Sequence, residues 1–184
     1  MLDAIGRRQL DAAVGVVISN RPDATGLDRA RAAGVESLVI NPREHADRDA
    51  HDRALAVALC DRGIELICLA GYMRRVGAPL LDAFPNRVLN IHPSLLPAFP
   101  GLGAQGQALT HGVRVSGATV HFVTLELDNG PIVIQASVPV LEQDTVETLS
   151  ARILVEEHRI YPEAIQTVLR GGWTIDGRRF IPGA

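Results

Sequence analysis

Arg87-Val88-Leu89-Asn90-Ile91-His92-Pro93 is a short apolar run that ends in two polar side chains and a proline. Its branched aliphatic residues predict a buried strand over residues 87–91. Pro93 has no N–H to give a ladder, so the strand stops beside His92. Upstream, Leu66-Ile67-Cys68-Leu69-Ala70-Gly71 is apolar without interruption, the pattern of a strand covered on both faces. Residues 79–84, between the two, read as a short helix. Residues 47–62 carry Leu55, Ala58 and Leu59 at helical spacing, and Gly63 ends that helix. Further back, residues 38–40 form a strand closed by Asn41-Pro42, residues 25–33 a helix stopped by Gly34, and residues 13–19 a β-branched strand. Strands alternating with helices predict an α/β fold around a parallel sheet.

Beyond Pro93 the pattern changes. Residues 93–106 are rich in Pro and Gly and read as a long loop. Residues 118–124 and 132–138 predict two strands joined by a turn at Asp128-Asn129-Gly130-Pro131, an antiparallel pair. A helix follows over residues 145–170, with Asp144 as its expected cap and a break or kink expected at Pro162. Asp176-Gly177 between apolar residues predicts a terminal hairpin.

With 184 residues and a net charge of −3, one domain is expected. All 18 residues counted as Lys or Arg are Arg, so an anion site would use Arg, His or backbone N–H groups, and a lysine Schiff base is excluded. The basic residues are dispersed, which argues against nucleic acid as a partner. No apolar run reaches the roughly 18 residues of a membrane span, and no signal-peptide pattern opens the chain. The expectation is a cytoplasmic protein with no membrane partner. Cys60 and Cys68 lie in apolar runs and read as small buried hydrophobes. No Cys/His cluster has zinc spacing, so no metal is expected.

The chemistry centres on the strand that ends the opening stretch. Ligands of open α/β sheets sit at the carboxyl ends of the strands. Asn90 and His92 are two residues apart and share one side of their strand. An amide N–H and an imidazole suit a carbonyl oxygen that becomes negative in a tetrahedral transition state. A strand-end Asn bonding its own turn, beside a satisfied core His, is the ordinary alternative. Asp128 is by default a turn residue. Beside His92, its carboxylate would favour the imidazolium and orient the ring. Asn, His and Asp at one point describe acyl transfer without a covalent intermediate, the nucleophile coming from the substrate. Ser94 follows a proline, has no evident base and is not read as a nucleophile. His121 stands mid-strand and is read as structural.

Asn90-Ile91-His92-Pro93-Ser94-Leu95-Leu96-Pro97-Ala98-Phe99-Pro100-Gly101-Leu102 resembles the signature of glycinamide ribonucleotide formyltransferases. So do Leu69-Ala70-Gly71-Tyr72-Met73-Arg74, Thr119-Val120-His121-Phe122-Val123, Asp128-Asn129-Gly130-Pro131 and Glu156-Glu157-His158-Arg159-Ile160-Tyr161-Pro162. These motifs occur in the family's order along the whole chain. The resemblance implies a formyltransferase-type, Rossmann-like open sheet, mostly parallel with an antiparallel C-terminal part. It implies a single formyltransferase domain over residues 1–184: a nucleotide-binding-like half (1–92) and a folate-binding and C-terminal half (93–184). It also implies formyl transfer from 10-formyltetrahydrofolate, as co-substrate, to the amine of glycinamide ribonucleotide in purine biosynthesis. Asn90, His92 and Asp128 match the family's catalytic residues. Leu69, Tyr72, Arg74, Arg75, Val76, Val88 and Val123, with Thr124, Leu125, Glu126 and Leu127, match its folate cleft. Met73 and Glu157 match positions near the ribonucleotide's amine and ribose. The expected partners are these small molecules, for a monomer or homodimer.

Two departures stand against the family pattern. Met1 falls inside the family's first helix, so its first central strand and its Gly/Ser/Asn-rich phosphate loop have no counterpart. That strand would lie next to the one ending at Asn90, and its loss would leave unpaired edges. The expectation is a coding region that starts further upstream, or else an impaired, truncated form. After Pro100, Gly103 and Gly106 replace the His and Arg usual in the family, which makes the loop harder to order. A formyltetrahydrofolate hydrolase, and a catalytically impaired folate-binding relic, are the alternative readings. A methionyl-tRNA formyltransferase fits less well, because no basic C-terminal domain is present.

Overall fold

The computed structural model describes residues 1–183. A short helix α1 (Leu2–Gly6) leads to β1 (Val16–Ser19), α2 (Thr25–Ala32), β2 (Glu36–Val39) and α3 (Arg48–Cys60). β3 (Ile67–Leu69), α4 (Ala78–Ala83) and β4 (Val88–His92) follow, then α5 (Ala104–Thr110) and the long pair β5 (Val115–Phe122) and β6 (Ile132–Pro139). The chain closes with α6 (Val146–Arg170) and the hairpin β7 (Thr174–Asp176) and β8 (Arg179–Ile181). No helix among the described residues is long and apolar enough to cross a membrane.

Local chemistry explains most boundaries. The Asp47 carboxylate accepts the Ala50 N–H at 2.7 Å and starts α3. Gly34 and Gly63 take positive φ where α2 and α3 end. Asp144 does not cap α6. The cap is Thr145, in a reciprocal box with Thr148. Asp144 instead accepts the Leu141 N–H and both arms of Arg152. Pro162 does not break α6, which runs unbroken from residue 146 to 170. Its ring lies on a buried face, among Ile160, Tyr161, Ala164 and Ile165, and packing outweighs one lost hydrogen bond. α5 lies in the stretch read as loop. Gly103, at φ +69, turns the chain into it, so here glycine orders the loop's exit.

Among the described residues the strands form two sheets. β1 and β2 pair in parallel, while six strands run in the order β3-β4-β5-β6-β8-β7. β3 is parallel to β4 and β6 to β8; β4–β5, β5–β6 and β7–β8 are antiparallel, so the large sheet is mixed. The strand that ends at Asn90 is paired on both sides, by β3 and β5. The unpartnered edge therefore belongs to β3, not to β4 as the sequence led us to expect, and β1 also has a free edge. Val16 and Ile18 of β1 share a core with Leu55 and Leu59 of α3 and with Ile67 and Val88. A larger core joins β4–β6 to α6, centred on Leu89, Val120, Phe122, Leu149 and Ile160. Cys68 packs against that larger core, but Cys60 is exposed on α3 and is not a core residue. Apolar neighbours in sequence do not fix which helical face a residue occupies.

Candidate active site

β4 carries the site. Asn90 and His92 point to the same side of the strand, two positions apart, and Pro93 turns the chain away. Asp128 arrives from the turn that joins β5 to β6. It has φ +49, a left-handed backbone that Asp tolerates better than most residues. Gly130 makes that turn possible, since a Cβ there would meet the Phe122 carbonyl oxygen at 1.8 Å.

These elements bring the three side chains together. Asp128 Oδ2 lies 3.5 Å from His92 Nδ1, with both side chains nearly buried. The same oxygen accepts the Gly101 N–H at 2.7 Å. The His92 Nε2–H donates to the Phe99 carbonyl at 2.9 Å. Asn90 stands opposite His121 across the antiparallel pair, and its amide donates to His121 Nε2 at 3.3 Å. The His121 Nδ1–H donates to the Phe122 carbonyl at 2.9 Å, so its Nε2 carries a lone pair. Burial pulls the His121 imidazole below its ordinary pKa, which keeps it neutral at neutral pH. Asp128 Oδ1 lies 3.8 Å from that ring. His121, read from sequence as purely structural, thus stands inside the site. The signal for it was its place on a strand antiparallel to the one carrying Asn90.

A cleft of about 460 Å³ opens over this cluster. Leu69, Tyr72, Met73, Arg74, Arg75, Val76, Val123 and residues 124–128 line it with Asn90, His92 and His121. Arg75 ties one wall to the other by donating to the Leu125 carbonyl at 3.2 Å. Val88 does not line the cleft; it is 1% exposed and belongs to the core around α3. Glu157 does not line it either. It sits half-buried on α6, where burial raises its carboxyl pKa. Gly101, Leu102, Gly103 and Gln105, from the loop after Pro100, add a further wall. Such a cleft can hold a flat, partly apolar molecule against a carbonyl-polarising amide and a carboxylate-paired imidazole.

A polar cluster at the carboxyl end of a strand, over a half-apolar cleft, suits a group-transfer enzyme, and the chain belongs to the formyl transferase family, whose model matches residues 1–165. Within it, the chain is 42% identical over 159 residues to the phosphoribosylglycinamide formyltransferase of Bacillus subtilis, covering 86% of this chain and 82% of that protein. It superposes on the crystal structure of glycinamide ribonucleotide transformylase 1 from Symbiobacterium toebii with a TM-score of 0.97 at 59% identity, over 100% of this chain and 86% of that one. It is also 43% identical over 171 residues to the human trifunctional purine biosynthetic protein adenosine-3, matching 93% of this chain but spanning only 17% of that protein.

Proposed function

We propose that the chain transfers a formyl group from 10-formyltetrahydrofolate to the amine of glycinamide ribonucleotide, a step of purine biosynthesis in the cytoplasm. The observation that carries this reading is the His92–Asp128 pair, 3.5 Å apart at the end of β4 beside the Asn90 amide. The amine's lone pair attacks the formyl carbon and a new C–N bond forms. The formyl oxygen becomes negative, and the Asn90 N–H and the His92 imidazolium stabilise it. Asp128 holds the imidazolium in place. The proton leaving the amine passes to N10 of the folate as the old C–N bond breaks. No covalent enzyme intermediate is needed.

The cleft supports a folate as co-substrate. Leu69, Val76 and Val123 give apolar walls, and residues 124–127 offer backbone donors and acceptors close by. Met73 at the cleft's edge, with Glu157 on α6, is assigned to the ribonucleotide side. Residues 1–184 act as one domain in this reading, with no metal required.

The test is formyl transfer by the purified chain, with and without glycinamide ribonucleotide. Amine-dependent loss of 10-formyltetrahydrofolate, abolished by Asn90→Ala and by His92→Ala, is expected. Formate release at the same rate without the amine would make the chain a hydrolase. Folate binding with no turnover would make it a relic.

A further inference from the structure

We propose that Ser94 is a positioning residue for this transfer: its hydroxyl pins the loop whose Phe99 carbonyl holds the His92 ring, so that the second proton of the imidazolium sits on Nδ1, facing Asp128. The proposal rests on the reading of His92 given above.

Ser94 is 0% exposed, so its hydroxyl must find its partner inside the protein. It lies 2.5 Å from the Ala98 carbonyl oxygen and 3.4 Å from that of Phe99. The serine's own backbone is held from two sides. Its N–H donates to the His92 carbonyl at 2.9 Å, and its carbonyl accepts the Thr119 hydroxyl at 2.7 Å from β5. The hydroxyl therefore projects from a fixed base.

The loop it pins is not a relaxed one. Phe99 has φ +55, a left-handed backbone that a bulky L-residue keeps only when its surroundings enforce it. In that conformation its carbonyl lies 2.9 Å from His92 Nε2. Two residues on, the Gly101 N–H fixes the Asp128 oxygen that faces His92 Nδ1. One loop thus grips the ring on one side and its carboxylate partner on the other.

The chemical consequence follows from what a carbonyl can do. It only accepts, so Nε2 keeps its proton whether the ring is neutral or charged. The proton that separates the imidazolium from the neutral ring must then sit on Nδ1, the nitrogen facing Asp128. His121 is held the opposite way, with Nδ1–H on a carbonyl and Nε2 as the acceptor. Both partners of the Ser94 hydroxyl are backbone carbonyl oxygens, so it acts as a donor to the backbone.

The experiment is nitrogen NMR of the His92 ring across pH, with steady-state kinetics, on the wild-type chain and Ser94→Ala. In the wild type, Nε2 is expected to carry a proton throughout while only Nδ1 gains and loses one. Ser94→Ala should mix the two patterns and lower kcat roughly 10- to 100-fold, with KM within about 2-fold. If Ser94→Ala fails to fold, Ser94→Cys, which keeps the size and a weaker donor, is read on the same scale with a smaller effect. Nδ1 as the constant proton carrier in the wild type, or unchanged ring and kcat in the folded variant, would overturn the proposal. His92→Ala separates the two levels. Full activity without His92 defeats the catalytic reading itself, whereas an inactive His92→Ala beside an unaffected Ser94→Ala defeats only the role of Ser94.

Discussion

The Asn90 amide donates to His121 Nε2 across the β4–β5 pair, and this contact decides which end of the amide faces the ring. Because His121 spends its only ring proton on the Phe122 carbonyl, Nε2 can accept but not donate. Asn90 must therefore present its NH₂ group, and the second N–H of that group is left for the cleft. His121→Leu removes the acceptor and lets the amide turn over. The expected result is a fall in kcat of roughly 10- to 100-fold, since a misdirected oxyanion donor is nearly a missing one. Steady-state kinetics on the folded variant checks it, and an unchanged kcat would leave Asn90 oriented by something else.

The same histidine links stability to pH. Burial lowers the His121 pKa in the folded chain from its ordinary 6.5. The unfolded chain then binds the proton more readily than the folded one. The stabilising contribution is complete above the ordinary value and drains away as pH falls through the lowered one. Urea unfolding across pH 7 to 5 should show this loss for the wild type, and a shallower slope for His121→Leu. Equal slopes would place the acid sensitivity elsewhere.

Asp128→Asn keeps an oxygen for the Gly101 N–H but removes the charge beside His92. Formyl transfer should fall by about 10²- to 10⁴-fold while the urea midpoint barely moves. A near-normal rate would take the carboxylate out of the mechanism.

Gly130→Ala tests how tightly the Asp128 turn is built. The added Cβ would sit 1.8 Å from the Phe122 carbonyl oxygen, so the backbone must move. A loss of about 1–3 kcal/mol is expected, with a fall in activity because the turn carries Asp128. Thermal unfolding and transfer assays on one sample measure both.

The two cysteines should differ in reactivity. Burial pushes the Cys68 thiol up to about 12, while Cys60 is exposed. Iodoacetamide at pH 8 should alkylate Cys60 in the folded chain and reach Cys68 only after unfolding. Mass spectrometry of tryptic peptides distinguishes them, and equal labelling would contradict the packing of β3.

Much of the fold was legible from local pattern. The apolar runs at residues 66–71 and 87–91 became β3 and β4, and the Asp128–Pro131 turn joins the antiparallel pair as expected. The errors have physical sources. α5 was hidden because Gly103 and Gly106 resemble loop punctuation, yet the first sits at a left-handed entry and the second inside the helix. Asp144 looked like a cap, but Thr145, one position later, holds that place, while Asp144 is taken by Arg152. Val88 fell among the cleft residues by resemblance; it shares a side of β4 with Asn90 and His92, but at the strand's far end, where the core around α3 covers it.

By itself, the sequence determined that Asn90 and His92 share one side of a strand's end, because a pleated strand alternates its side chains and Pro93 stops it there. It also determined that Asp128 sits in a turn, since Asp128-Asn129-Gly130-Pro131 is a run of turn-forming residues. Only the tertiary structure decided that this turn meets that strand end, that His121 faces Asn90, and that Phe99 and Gly101 grip His92 and Asp128 from one loop. Those contacts join residues far apart in the chain, and their geometry depends on register and on backbone bends that no local pattern encodes.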